Sequence, residues 1–216
     1  MKTLLIAEIA QAHEGSLGNA LAYIDAVADA GANAVKFQCH DCDPNDEMPA
    51  GYDLPQDSTR RDYWQRTGFV GYQWTILSNH ARERGLQFGV TPFSIEALEL
   101  VADRCDFIKI ARQFYCCELH RAACTHNTTV IATGGGMNSM GLGLNEYNPR
   151  LHLGISDHSG TIWPALSAVA RGASIVEVHV CWDRRQFGPD SKYSITIDEL
   201  AQLAEGIRSI ESSSNP

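Results

Sequence analysis

Two histidines stand in matched surroundings, His158 in the run Gly154-Ile-Ser-Asp-His-Ser-Gly160 and His179 in Val176-Glu-Val-His-Val180. Each closes a short β-type run. Neighbouring strand ends can bring two such imidazoles together on one divalent ion and leave its other coordination positions open for chemistry. Two hydrogen-bonded core histidines are the plainer alternative, and the matched positions argue against it. Glu177 lies two residues before His179 and shares its face by strand alternation, so it is placed to help orient a ligand or a water.

Lys36 and Lys109 lie inside apolar runs, Ala34-Val-Lys-Phe-Gln38 and Phe107-Ile-Lys-Ile-Ala111. A lysine turned into a protein interior is costly unless it meets an anion or gives up its proton. Each is therefore a candidate for contact with phosphate or carboxylate, or for a Schiff base, against the alternative of snorkelling along an outer face. Ser156 and Thr91, also at run ends, can add neutral donors to the same anion. Cys39-His-Asp-Cys42 opens like a zinc site, but the remaining cysteines lack zinc-type spacing. Gly134-Gly135-Gly136 could lend backbone amides to an anion or simply turn the chain.

The elements that must position these residues recur along the whole sequence. Seven β-type runs, at 4–10, 33–38, 86–93, 107–111, 128–133, 151–156 and 174–180, alternate with stretches of helical period. The runs are apolar on successive residues, as in parallel strands covered on both sides. Ser16 and Ser94 are placed to cap helices, and 197–211 forms a closing helix. The first run lacks the Gly-rich turn of a dinucleotide fold. Polar and ionisable residues gather instead at the C-terminal ends of the runs, where barrel active sites sit. The expected architecture is an α/β fold, a shortened TIM-type (β/α) barrel of about seven strands, with residues 1–216 as a single catalytic domain. Residues 39–70 read as a long active-site flap, Trp74, Ile76 and Leu77 as packing residues, and Trp163 as a lid or packing residue.

With 216 residues, 44% hydrophobic and 20% charged, the composition is that of a globular chain with a sizeable core. A formal charge of -9 argues against sequence-independent binding of nucleic acid. No apolar run approaches the ~20 residues that cross a bilayer, and the odd count of 7 cysteines reads as reduced thiols rather than a disulfide framework. The expectation is a cytoplasmic protein, with a homo-oligomer possible, that acts on small molecules.

At these motifs the sequence resembles the sialic acid (N-acetylneuraminate) synthase family. The matching stretches are Ile6-Ala-Glu-Ile-Ala-Gln-Ala-His-Glu-Gly-Ser16, the run 30–38, Val90-Thr-Pro-Phe-Ser94, the run 107–111, the two histidine motifs and Gly188-Pro-Asp190. The resemblance implies a (β/α)8 barrel that joins phosphoenolpyruvate to an N-acetylated amino-sugar aldehyde, with a divalent metal such as Mn2+ or Mg2+ and release of phosphate. It implies that His158 and His179 hold the metal, and that Lys36, Thr91 and Ser156 bind phosphoenolpyruvate. Lys109 would sit by the reacting groups, Gln38 and Asp190 would contact the sugar, and Glu14 would be the acid/base residue, with Asp157 a further catalytic candidate.

The chain also departs from the family pattern. Arg112-Gln113-Phe114 stands where the family has a serine followed by an acidic residue, and Ala132 replaces a phosphate-binding serine. Between Gly134 and Leu151 there is no room for an extra helix and strand, and the expectation is a barrel-only member without the family's C-terminal antifreeze-like domain. Arg112 can replace the lost hydroxyls with a bidentate grip on phosphate or carboxylate. Alternatives are a metal-dependent aldolase, lyase or hydrolase acting on another small oxo-acid, or a non-catalytic binding barrel.

Overall fold

The structure is a computed structural model that describes residues 2–40, 60–111, 117–132 and 154–213. All seven expected strands form: β1 (Leu4–Ala10), β2 (Ala34–Cys39), β3 (Gln87–Pro92), β4 (Phe107–Ile110), β5 (Thr129–Ala132), β6 (Gly154–Asp157) and β7 (Ile175–Cys181). They lie in the order β5-β4-β3-β2-β1-β7-β6, every pair parallel. This is the cyclic order of a (β/α) barrel, because β7 returns to β1. Among the described residues, the sheet is open only between β5 and β6. A strand that sequence periodicity did not reveal, β8 (Ile195–Thr196), extends the β7 edge at Val180 and Cys181. Two residues are too short to carry a pattern.

Why the strands read as continuous apolar runs is visible in their two faces. One face, with Leu5, Ala7, Ile9, Val35, Phe37, Phe88, Val90, Ile108, Val176 and Val178, belongs to the main core that packs under the helices. The other face holds a smaller cluster of Ile6, Ala34 and Phe107, with Leu4, Ile131 and Ile175 against it. These residues plug the N-terminal half of the barrel interior. Full burial of each large side chain stabilises the fold by about 1.5–3 kcal/mol. The Phe107 ring lies where a side chain at Gly89 would be, so a Cβ there would overlap it. Above this plug, the same inward face carries charged and polar residues.

The helices form where their caps say they should. Ser16 Oγ accepts from Asn19 N–H at 3.2 Å to open α1 (Leu17–Asp29), and Gly31, at φ +87, lets the chain leave it. Ser94 Oγ likewise accepts from Ala97 N–H at 2.9 Å. Inside the stretch expected to be a flap lies α2 (Arg60–Thr67), followed by α3 (Gly71–Glu83), α4 (Ile95–Val101), α5 (Glu118–Ala123), α6 (Trp163–Ala170) and α7 (Ile197–Ser213). Trp74 and Leu77 are buried as expected. Ile76 is not: it is 40% exposed, on the solvent side of α3, and Trp163 at the start of α6 is 67% exposed. No helix among the described residues is long and apolar enough to cross a membrane.

Candidate active site

Register places a polar layer directly above the apolar plug. Glu8 on β1 is level with Lys36 on β2 and with His179 on β7. Ser156 on β6 is level with Glu177. Lys36 Nζ forms an ion pair with Glu8 Oε2 and donates to Thr91 Oγ1 at 2.6 Å. Lys109 Nζ pairs with Glu177 Oε1 and donates to Ser156 Oγ at 3.1 Å. Ser156 Oγ in turn donates to Glu177 Oε1 at 3.0 Å. Both lysines therefore face inward, as their positions in apolar runs implied, and both meet anions. Two ammoniums face two carboxylates, so the layer as it stands is charge-balanced.

Glu8 was not among the expected site residues. Its signal was the same as that of the lysines, one ionisable residue in an otherwise apolar run. Glu8 Oε1 also accepts from Ala10 N–H at 2.8 Å, where β1 shifts register against β2 and Ala10 adopts φ +51. Burial pushes the Lys36 ammonium down to about 7, against the pull of Glu177. Burial would raise the Glu177 carboxyl, but Lys109 and Lys36 outweigh it and hold the group well below the usual carboxylate range.

The two histidines follow Ser156 and Glu177 on the inward face, one step further toward the C-termini of β6 and β7. Their ring centroids are 4.8 Å apart. His158 Nε2 lies 3.3 Å from Ser156 Oγ. Burial lowers His158 to about 4 and His179 to about 3, so both imidazoles are neutral, the form that ligates metals. His179 Nδ1 is buried without a hydrogen-bond partner; Asp190 Oδ2, at 4.0 Å, is beyond hydrogen-bond reach. Two neutral imidazoles with centroids 4.8 Å apart, one of them with a buried nitrogen that has no hydrogen-bond partner among the described residues, fit a divalent ion. Among the described residues, no group of three or more His, Cys, Asp or Glu could hold a metal.

The other expected residues divide. Glu14, at φ +55 in the turn after β1, is held from α2: Arg66 Nη2 donates to its Oε2 at 3.0 Å, and Arg66 Nη1 donates to its carbonyl at 3.2 Å. The chains approach so closely here that a Cβ on Gly15 would overlap the Arg66 carbonyl. Gln38 follows Lys36 on the inward face, level with Thr91. Asp157 is not brought to the cluster. It is level with Val178 on the outward face, and its carboxylate accepts from Ser159 N–H at 2.9 Å and Ser159 Oγ at 3.2 Å. An aspartate adjacent to Ser156 must point the other way on a strand, so this carboxylate shapes the turn after β6. Cys39 is buried in the main core. Arg112, Cys42, Cys116 and Gly134-Gly135-Gly136 lie outside the described residues.

A family model described as the NeuB family matches residues 23–141 and 137–215. The chain belongs to the NeuB family. N,N'-diacetyllegionaminic acid synthase of Campylobacter jejuni is 27% identical, across 97% of this chain and 77% of the relative. Human N-acetylneuraminate-9-phosphate synthase is 25% identical, across 96% and 70%. Among solved structures, N-acetylneuraminic acid synthetase from Leptospira borgpetersenii, crystallised with citrate, superposes with a TM-score of 0.75 at 23% identity, covering 100% of this chain and 86% of that one. A truncated 3-deoxy-D-arabino-heptulosonate 7-phosphate synthase from Thermotoga maritima shares the fold, with a TM-score of 0.68 at 14% identity, over 98% and 87%. These relatives carry the names of synthases, and this NeuB-family chain is a synthase-type enzyme on a shortened TIM-type barrel.

Proposed function

We propose that this NeuB-family enzyme condenses phosphoenolpyruvate with a sugar-type aldehyde and releases phosphate, with a divalent metal held by His158 and His179. The observation that supports it is the make-up of the inward face, where two buried lysines and two neutral imidazoles are gathered by strand register toward the C-terminal ends of the strands. Lys36, Thr91 and Ser156 would hold the phosphate and carboxylate of phosphoenolpyruvate, and Lys109 would lie by the reacting carbons. An entering trianion would displace Glu8 and Glu177 from part of their contact with the lysines. A metal such as Mn2+ or Mg2+, when bound, supplies Lewis-acid polarisation of the aldehyde oxygen. The methylene carbon of phosphoenolpyruvate forms a bond to the aldehyde carbon, whose oxygen takes a proton. Water then adds to the former enol carbon, and the bond from that carbon to the phosphate oxygen breaks. Glu14, beside the mouth and fixed by Arg66, is placed to move the proton.

The test is phosphate release by the purified protein with Mn2+, phosphoenolpyruvate and a panel of N-acylated amino-sugar aldehydes. Release that requires both phosphoenolpyruvate and an aldehyde is the expected result. Turnover of another oxo-acid without phosphoenolpyruvate would favour an aldolase or lyase instead.

A further inference from the structure

His40 lies just beyond β2, and its Nε2 is 2.8 Å from Gln38 Oε1. The imidazole is sandwiched, with Trp64 of α2 at 4.3 Å and 9° on one side and Phe93, just past β3, at 3.9 Å and 18° on the other. Phe93 is itself tied to the end of β2, because its N–H donates to the Cys39 carbonyl at 3.0 Å. A ring stacked on both faces can slide little and cannot tilt, so the direction of its nitrogen is set by two aromatic side chains from separate elements. Gln38 is half-buried on the inward face, one step above Lys36. No group among the described residues accepts from its amide nitrogen.

We propose that His40 is a positioning residue that fixes the Gln38 amide at the barrel mouth and thereby makes Gln38 a specificity determinant for the aldehyde substrate. The inference rests on the condensation proposed above. With the Gln38 oxygen engaged by the His40 N–H, the amide NH2 is the part left to face the site. It selects substrates that present an acceptor oxygen there, a hydroxyl or acyl carbonyl of an amino-sugar-type aldehyde. A free glutamine could turn its amide over and accept either polarity, whereas a fixed one rejects a mismatched group because a buried polar atom would be left unpaired. The aromatic sandwich is what removes that freedom.

The informative variant is His40→Phe, which keeps a flat ring between Trp64 and Phe93 and removes the hydrogen bond to Gln38. KM for the best aldehyde of the panel should rise about tenfold, the size expected for a lost or misdirected hydrogen bond, with KM for phosphoenolpyruvate unchanged. Gln38→Ala should give the same rise, and the double variant no more, since the two residues act as a unit. Unchanged aldehyde KM in His40→Phe, or an equal rise in both KM values, overturns the proposal. If wild type releases no phosphate with any aldehyde, the function proposed above fails, and the positioning role is decided by NMR relaxation of the Gln38 side-chain amide. That amide should be rigid in wild type and mobile on the picosecond to nanosecond scale in His40→Phe. Equal mobility in both refutes the role.

Discussion

Lys36 Nζ and Glu177 Oε2 stand 3.9 Å apart across the barrel interior, on strands β2 and β7 that are separated by β1. Glu177 thus faces both buried lysines, while Glu8 pairs with Lys36. Four ionisable side chains from four strands form one connected layer. Such a layer is costly to desolvate and more costly to break at one member.

Lys36→Met should therefore destabilise the fold by about 3–5 kcal/mol, because Glu8 would be left as a buried carboxylate without its counter-ion. Adding Glu8→Gln should restore much of the loss. Denaturant unfolding of the wild type, both single variants and the double variant measures the coupling. Additive losses in the double variant would show that the two charges are independently solvated.

Metal and anion binding should be linked. The lysines are already matched by two carboxylates, so a trianionic substrate gains little net attraction until a divalent ion is added. His158→Ala and His179→Ala should each lose bound Mn2+ while keeping the wild-type circular dichroism, since two imidazoles leave no ligand to spare. Calorimetry should show phosphoenolpyruvate binding weakened about tenfold or more in chelator-treated protein, a coupling of about 1.4 kcal/mol. Equal affinity with and without the ion would remove the link.

Acid should destabilise the protein through its buried histidines. His13 is stacked on Phe69 at 4.5 Å, its Nδ1 accepts from Gly15 N–H at 3.1 Å, and burial lowers it to about 3. A lowered folded-state pKa means that, between pH 6.5 and about 3, the unfolded chain binds a proton that the folded chain refuses. Unfolding free energy must then fall as pH falls. At pH 4.5 the loss from His13 is roughly 2.5–3 kcal/mol. His13→Gln should reduce the stability difference between pH 7 and pH 4.5 by about that amount. A difference identical to that of wild type would mean that His13 is protonated in the fold.

Arg66→Gln should act on turnover more than on stability. The Arg66 and Glu14 side chains are 35% and 29% exposed, so their ion pair contributes at most about 1 kcal/mol to folding. Its orientation of Glu14 is the larger effect: kcat should fall about tenfold, with both KM values within twofold of wild type. A variant that melts early and turns over normally would confine Arg66 to holding α2.

The inward lysines, the paired histidines and the parallel strand order were legible in the sequence because each breaks or repeats a local pattern. An ionisable residue in an apolar strand must find a partner, and caps at Ser16 and Ser94 act within a few residues. The same logic extends to Glu8, although an isolated carboxylate in β1 has no partner until the register with β2 puts Lys36 beside it. Asp157 shows the opposite error. Its place next to Ser156 and His158 looks like membership of the site, but alternation along β6 turns it to the outer face.

What the sequence alone determined was therefore the seven longer strands, most of their inward chemistry and the family to which the chain belongs. Those are properties of local periodicity and of residue types that cannot be buried without cause. Only the tertiary structure decided which charges pair, that Glu177 serves two lysines, and that a helix lies within 39–70 with Arg66 on Glu14 and Trp64 on His40. Those contacts join residues distant along the chain. They are set by strand register and by the packing of α2 over the barrel mouth, neither of which leaves a periodic trace in the sequence.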